Sequence, residues 1–494
     1  MKDATPGGVM ETASGTRAAT EAHGMVWRLA PYLALALLCA ASLASRPLLP
    51  PDETRYLTVA FEMLQSKGWF VPTLNFAPYH HKPPLLFWLI DLSWSVFGVG
   101  RAQAMLVVFA VSSLVLRLTQ QAGRALWPER EDVARRIPWL MLGSVPFVVY
   151  SSLVLFDLLL TACILSAFLA LLAFARGRGR RWAVLAGFAI GFGVLAKGPV
   201  VLVHVVWPFA LYPLWRTKRE IVSGAAFARG AGLAFLAALL PVALWLVPAL
   251  LKTDGQFARD LVWEQSAGRI SGNMEASHPR PVFFYLLMLP LLAMPWMLSP
   301  DLWRTRPLQR LSRALRGQGD EGRTSRLLLL WGLGILVVFS AISGKQPHYL
   351  VPMLALTVLA LARAMAPVSL ERIRIASLAT VAVLALAQGI ASPLYFAQFD
   401  LAPVSALIEA KGDAPVGFVG RYQGELGFLA RLRRPVDLVA APDAASWLAA
   451  HPGGTLVVAD RRDVADMPPE ALEIAYRGRR LALFGPSALP DQAR

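Results

Sequence analysis

Long apolar runs separated by short charged stretches fill the chain from residue 27 to residue 396. A run near 20 residues can cross a hydrocarbon core of roughly 30 Å as a helix. The segments 27–48, 102–121, 137–155, 158–175, 182–197, 199–214, 228–250, 281–299, 327–343, 350–365 and 375–396 are therefore predicted as spans. Pro84 to Gly98 is apolar but shorter, and it carries Asp91. Upstream of it, "DETRYLTVAFEMLQSK" places Tyr56, Val59, Ala60 and Met63 at helical spacing, which predicts an amphipathic helix on the membrane surface. Residues 1–25 are polar and rich in Ala, Thr and Gly, and read as a disordered tail. Beyond residue 398 the pattern changes. "APVGFVG", "PVDLVAA", "GTLVVADR" and "RRLALFGP" read as strands, alternating with helical "GELGFLARL", "DAASWLAA" and "PEALEIAY". That alternation predicts a small α/β domain over residues 398–494.

Composition agrees with a membrane protein: 494 residues, 56% hydrophobic, with a mean hydropathy of +0.51. The net charge of +16 does not call for nucleic acid, because Arg and Lys collect in the cytoplasmic loops of polytopic proteins. Charge also decides the threading. If the N-terminus is cytoplasmic and Pro84–Gly98 lies in the outer interface without crossing, every dense basic loop falls inside, including "RGRGRR", "WRTKRE" and the arginines between 301 and 326. About eleven spans result, with an outer loop at 49–101 inside a membrane domain 26–397 and the C-terminal domain outside. "WRLAPYLALALLCAASLASRP" reads as an uncleaved first helix rather than a signal peptide. Cys39 and Cys163 lie in apolar runs, which implies neither a disulfide framework nor a thiolate metal site. The Ala- and Arg-rich composition fits a bacterial inner membrane.

The outstanding charges now fall at outer helix ends. Asp52, Glu53 and Arg55 open the first outer loop; as a bland alternative, the two acids simply favour a helix N-terminus. Asp157 is stranded in "SSLVLFDLLLTA", where a carboxylate costs on the order of 3 kcal/mol to insert. Lys197, in "GVLAKGPVVL", either serves an anion beside a helix break or snorkels to the interface. Lys82, Arg269 in "WEQSAGRISG", and Lys345 and Tyr349 in "GKQPHYL" come from other outer loops. Convergent cations with a tyrosine donor suit a phosphate or diphosphate head group. His80 and His81 adjoin Lys82, and His278 and His348 also lie outside, so a divalent metal, zinc or magnesium, is an open expectation centred on His81.

Asp-Glu-x-Arg-Tyr, then Asn75, Pro78-Tyr79 and Lys82-Pro83-Pro84-Leu85, form a compound pattern. It resembles the first periplasmic loop of the lipid A aminoarabinose transferases and of the wider dolichyl-phosphate-mannose protein mannosyltransferase superfamily. The resemblance continues through Asp157, "AKGP", "GRISG", "LPLLAMPW" and "KQPHYLVP", covering most of residues 26–365 in order. It implies a GT-C-type polytopic α-helical fold, with about 11 and at most about 13 spans, that moves a sugar from a polyprenyl-phosphate donor to a lipid, glycan or protein acceptor at the outer membrane face. By the same resemblance Asp52 and Asp157 are the catalytic carboxylates. Lys82, Lys197, Arg269, Lys345 and Tyr349 engage the carrier phosphate, and Glu53, Arg55 and Tyr79 shape the first loop. One departure is His81, which stands where the aminoarabinose enzymes carry an acid belonging to a metal site. The rival readings are a transporter or flippase for a lipid-linked sugar and an inactive scaffold. Transporters place charges and broken helices near the midplane, often in repeated halves, and neither feature is visible here.

Overall fold

In the computed structural model, residues 8–253, 257, 280–317 and 319–485 are described. Each apolar run becomes helix, although not always an unbroken one. The first elements are α1 (Gly8–Ser45), α2 (Asp52–Ser66), the hairpin β1 (Thr73–Leu74) and β2 (Ala77–Pro78), α3 (Leu85–Phe97), α4 (Arg101–Leu126), α5 (Glu131–Leu142) and α6 (Val145–Tyr150). They are followed by α7 (Asp157–Ala175), α8 (Arg181–Lys197), α9 (Val200–Ala210), α10 (Tyr212–Trp215) and α11 (Gly224–Lys252). Six described helices are long and apolar enough to cross a membrane: residues 25–45 of α1, then α4, α7, α11, Asp320–Ala341 and Leu370–Leu394. The segments 137–155 and 199–214 are each divided between two helices, and 281–299 holds Phe284–Leu292 and a short 3₁₀ turn. α3 is a 13-residue helix with Asp91 buried.

α7 is the most enclosed of the six, with 89% of its apolar window buried inside the protein. A helix apolar all round belongs at the centre of a bundle, and the unbroken apolar sequence of α7 places it there. Its N-terminus and the C-terminus of the antiparallel α8 therefore meet inside the protein, and both ends carry charge.

Four expectations need correction. Helix α1 begins at Gly8, so described residues of the segment read as a disordered tail are helical, in keeping with their Ala and Glu content. α2 does not lie open on a membrane surface. Ten of its residues, Glu53 to Met63 apart from Arg55, are buried, because the C-terminal unit covers it. Within that unit, "GELGFLARL" forms turns rather than helix. Its glycines approach α2 and β1 closely: a Cβ at Gly424 would lie 2.6 Å from Leu74 Cδ1 and 3.4 Å from Arg55 Cα, and one at Gly427 would lie 2.4 Å from Thr58 Cγ2. "PEALEIAY" contains a strand, β6 (Leu472–Tyr476), joined to β7 (Arg479–Phe484) by Arg477–Gly478, both at positive φ. That two-residue hairpin turn overrides the helical propensity of the segment.

The other strands fall where alternation placed them: β3 (Val416–Val419), β4 (Asp437–Val439) and β5 (Thr455–Val458). The sheet order is β4-β3-β5-β7-β6, with β3 parallel to β4 and β5, and β7 antiparallel to β5 and β6. Phe428 leaves this unit to join the core of the membrane bundle, its ring stacked on Trp94 at 5.3 Å.

Candidate active site

The site is assembled at the start of α2, the start of α7, the end of α8 and the segment after Asp320–Ala341. Asp52 and Glu53 occupy the first turn of α2, where carboxylates complement the helix N-terminus. Their surroundings differ completely. The Glu53 carboxylate is buried and accepts hydrogen bonds from Arg46 Nη1 at 2.5 Å, Arg46 Nη2 at 3.1 Å, Leu49 N at 3.0 Å and Val154 N at 2.9 Å. It ties the end of α1, the loop that follows it and the segment before α7 together. The Asp52 side chain is 50% exposed and has Arg55 as its ion-pair partner. Arg55 in turn donates from Nη1 to Gln423 Oε1 in the C-terminal unit at 3.2 Å.

Asp157 opens α7 and Lys197 closes α8, and Lys197 Nζ donates to Asp157 Oδ1 at 2.5 Å. Both side chains are almost wholly enclosed, at 7% and 5% exposure. The ammonium also lies 5.6 Å from the centre of the Tyr349 ring, within cation–π range. The Lys82 ammonium lies 6.0 Å from the ring of Phe156, the residue before Asp157, and Tyr56 meets that same ring edge-on at 4.8 Å. His348 shares the field of Lys197, Asp157, Lys82 and Asp52; desolvation, reinforced by the nearby lysines, pushes its imidazole down to about 3. Burial, with the charge of Asp52 adding to it, holds the Tyr56 phenol well above its ordinary range. One half-exposed carboxylate, one buried ion pair, a second lysine and a ring of aromatics therefore form a single electrostatic neighbourhood.

Lys345 is placed differently. It is buried and donates to the carbonyls of Arg280 at 3.0 Å and Ile342 at 2.5 Å, so two of its three N–H groups hold backbone. Arg269, also expected at the phosphate, lies outside the described residues, as does His278. Tyr79 is buried, its amide donating to Pro72 O at 2.7 Å, with its ring stacked on His81 at 5.1 Å. His81 is exposed and also adjoins the His80 ring at 4.8 Å. Among the described residues no group of three His, Cys, Asp or Glu side chains gathers to hold a metal.

Several contributors were not legible as site residues. Glu62 accepts from the amides of Asn75 and Phe76, both at 2.8 Å, and burial pushes its carboxyl up. Those two residues carry positive φ, of 55° and 59°, in the turn between β1 and β2. A left-handed Phe is strained, and Glu62 satisfies the two amides that the turn exposes. Asn75 then pairs with Val436 in both directions, donating from Nδ2 at 2.9 Å and accepting at Oδ1 at 2.7 Å. Thr58 Oγ1 donates to Gly424 O at 2.7 Å and accepts from Phe428 N at 2.9 Å. A polar position recurring on the apolar face of α2, at Thr54, Thr58 and Glu62, is the signal that could have found them.

The comparisons with known proteins bear on this arrangement. Residues 81–245, from His81 beside Lys82 through Asp157 and Lys197, match the family described as dolichyl-phosphate-mannose-protein mannosyltransferase. The crystal structure of ArnT from Cupriavidus metallidurans bound to undecaprenyl phosphate superposes with a TM-score of 0.69 at 18% identity, covering 93% of this chain and 99% of that one. An undecaprenyl phosphate-alpha-4-amino-4-deoxy-L-arabinose arabinosyl transferase of Pseudomonas aeruginosa is 29% identical over 440 residues, 84% of this chain and 73% of that protein. The chain is thus similar in sequence to these transferases and in fold to ArnT. A Sodalis glossinidius enzyme of the same description is 31% identical over 332 residues, 65% of this chain and 55% of its own length. The meeting point of α2, α7 and α8 is the candidate centre, and the small C-terminal unit packs over α2. The protein is an integral membrane protein.

Proposed function

We propose that this protein is an inverting glycosyltransferase. It moves a sugar from a polyprenyl-phosphate carrier to a lipid acceptor of the lipid A kind at the outer face of a bacterial inner membrane, with the N-terminus cytoplasmic and the C-terminal domain periplasmic. The observation that carries this reading is the pairing of a half-exposed carboxylate, Asp52, with an enclosed cation, Lys197, in one neighbourhood. The relatives named for transfer from undecaprenyl phosphate support the substrate class.

The chemistry follows from the residues. An acceptor oxygen attacks the anomeric carbon while the bond from that carbon to the carrier phosphate oxygen breaks, and polyprenyl phosphate leaves with the electron pair. Lys197 and Lys82 neutralise the charge that develops on the leaving phosphate, where fixed cations in a dry site act most strongly. Asp157 holds Lys197 in place. Asp52 takes the proton when the acceptor is a hydroxyl and orients the acceptor when it is already an anion. A flippase would need its charges along a path at mid-depth, whereas Asp157 and Lys197 stand at helix termini.

The test is transfer by purified protein from a synthetic polyprenyl-phosphate sugar, alongside mass spectrometry of the lipid A, glycan and glycoprotein fractions of cells. Wild type adds one sugar-sized mass to lipid A. Asp52→Asn loses about 10²–10⁴-fold in turnover while still binding donor. Wild-type turnover by that variant would overturn the reading, and a sugar appearing only on another fraction would replace the acceptor.

A further inference from the structure

At the end of the Asp320–Ala341 helix opposite to Tyr349, a cavity of about 830 Å³ opens between that helix, Met353–Ala364 and the short helix Pro307–Arg316. Its walls are apolar. Leu329, Leu333 and Leu336 line it from one long helix, and Leu356 and Leu361 from the other. From Glu321 to Leu336 the lining runs about 22 Å along the helix, which exceeds the share of one leaflet in a core of roughly 30 Å.

The mouth has the opposite character. Pro307–Arg316 has no buried residue; it carries Leu308 and Leu311 toward the cavity, with Arg310 and Arg313 beside them. Such a helix lies in the interface plane of a bilayer. Arg363 completes the rim and is ion-paired with Glu321, which also lines it. Arg310 and Arg313 have no carboxylate partner among the described residues. The rim is thus left with excess positive charge above a greasy slot that enters the membrane.

We infer that this cavity is a binding site for an anionic glycerophospholipid of the cytoplasmic leaflet, its phosphate held by Arg310 and Arg313 and one acyl chain laid between the two long helices. The commitment to a lipid rests on the combination: a soluble anion would not need the slot, and a neutral lipid would not need the arginines. Basic pockets between membrane helices at the cytoplasmic side recognise anionic head groups in this way. Its arginines lie at the opposite end of the Asp320–Ala341 helix from Tyr349, and lipid binding there does not depend on the transfer reaction.

The experiment uses the full chain in nanodiscs of phosphatidylcholine doped with photoactivatable phosphatidylglycerol or photoactivatable phosphatidylcholine, with the labelled peptides read by mass spectrometry. Phosphatidylglycerol is expected to label the cavity peptides in preference to phosphatidylcholine. The preference should fall about five-fold for each of Arg310→Gln and Arg313→Gln. Ala360→Trp, which fills the slot and leaves the arginines in place, should remove labelling by both lipids. Equal labelling by the two lipids, or a preference unchanged in the double arginine variant, would overturn the proposal. So would selective capture of added polyprenyl phosphate in place of the phospholipid.

Discussion

Two buried ion pairs stand near the candidate centre, and their contrast separates structure from chemistry. In the first, Glu53 and Arg46 saturate one another and their surroundings. The Glu53 carboxylate takes four hydrogen bonds, and all five guanidinium N–H groups of Arg46 are engaged, with Ser42 Oγ, the carbonyls of Pro47 and Ser152, and Glu53. In the second, Lys197 has a single hydrogen-bond partner among the described residues, Asp157, and faces an aromatic ring, so two ammonium N–H groups have no described protein acceptor. A buried charge is expensive unless fully paired. The first pair meets that requirement internally. The second meets it only in part, as a site that receives an anion must. Adjacent carboxylates on α2 follow the same division, with Glu53 locked and Asp52 open.

The contrast can be broken by substitution. The largest effect is expected at the saturated pair: Glu53→Ala strands Arg46 and should cost about 3–5 kcal/mol of stability, read as loss of folded protein on size exclusion and a lowered Tm. Lys197→Met should likewise strand Asp157. Adding Asp157→Asn to it should restore the Tm to near wild type while donor binding stays lost. Recovery of donor binding in that double variant would show Lys197 to be structural, like Arg46. Asn75→Ala removes two bonds to the backbone of Val436 and should cost about 1–3 kcal/mol, lowering turnover through the mobility of the first loop. The smallest effect, taken over the first pH unit of acidification, concerns His348. Its imidazole stays neutral in the fold down to about 3, whereas the unfolded chain takes a proton near 6.5. Protons therefore bind the unfolded state preferentially between those values, and stability should fall as pH drops below about 6.5. His348→Phe should flatten that slope in acid-titrated thermal melts; an unchanged slope would assign it to other groups.

Much of this was legible in the chain. Asp157 and Lys197 announced themselves because a lone charge in an apolar run has no local partner. Their pairing was not legible, since the two belong to different helices. Arg46 went unremarked because an arginine at the end of a first span looks like an interfacial residue, yet it is nearly as enclosed as Glu53. Lys345 was legible as a charge but not in its direction, because only the tertiary structure decides whether an ammonium meets a ligand or a carbonyl. In the C-terminal unit the β-branched runs marked β3 and β5 reliably. "GELGFLARL" misled because its glycines answer to the surface of α2, which local periodicity does not see.

The contact between Asn75 and Val436 spans 361 positions of the chain. The loop bearing Asp52 is made early in synthesis, and its last support among the final segments. Until the ribosome has finished and the C-terminal unit has folded, that loop lacks its clamp at Asn75. The order of synthesis therefore leaves the loop unclamped on every nascent chain, and a product terminated before Val436 would remain in the bilayer with that contact unmade.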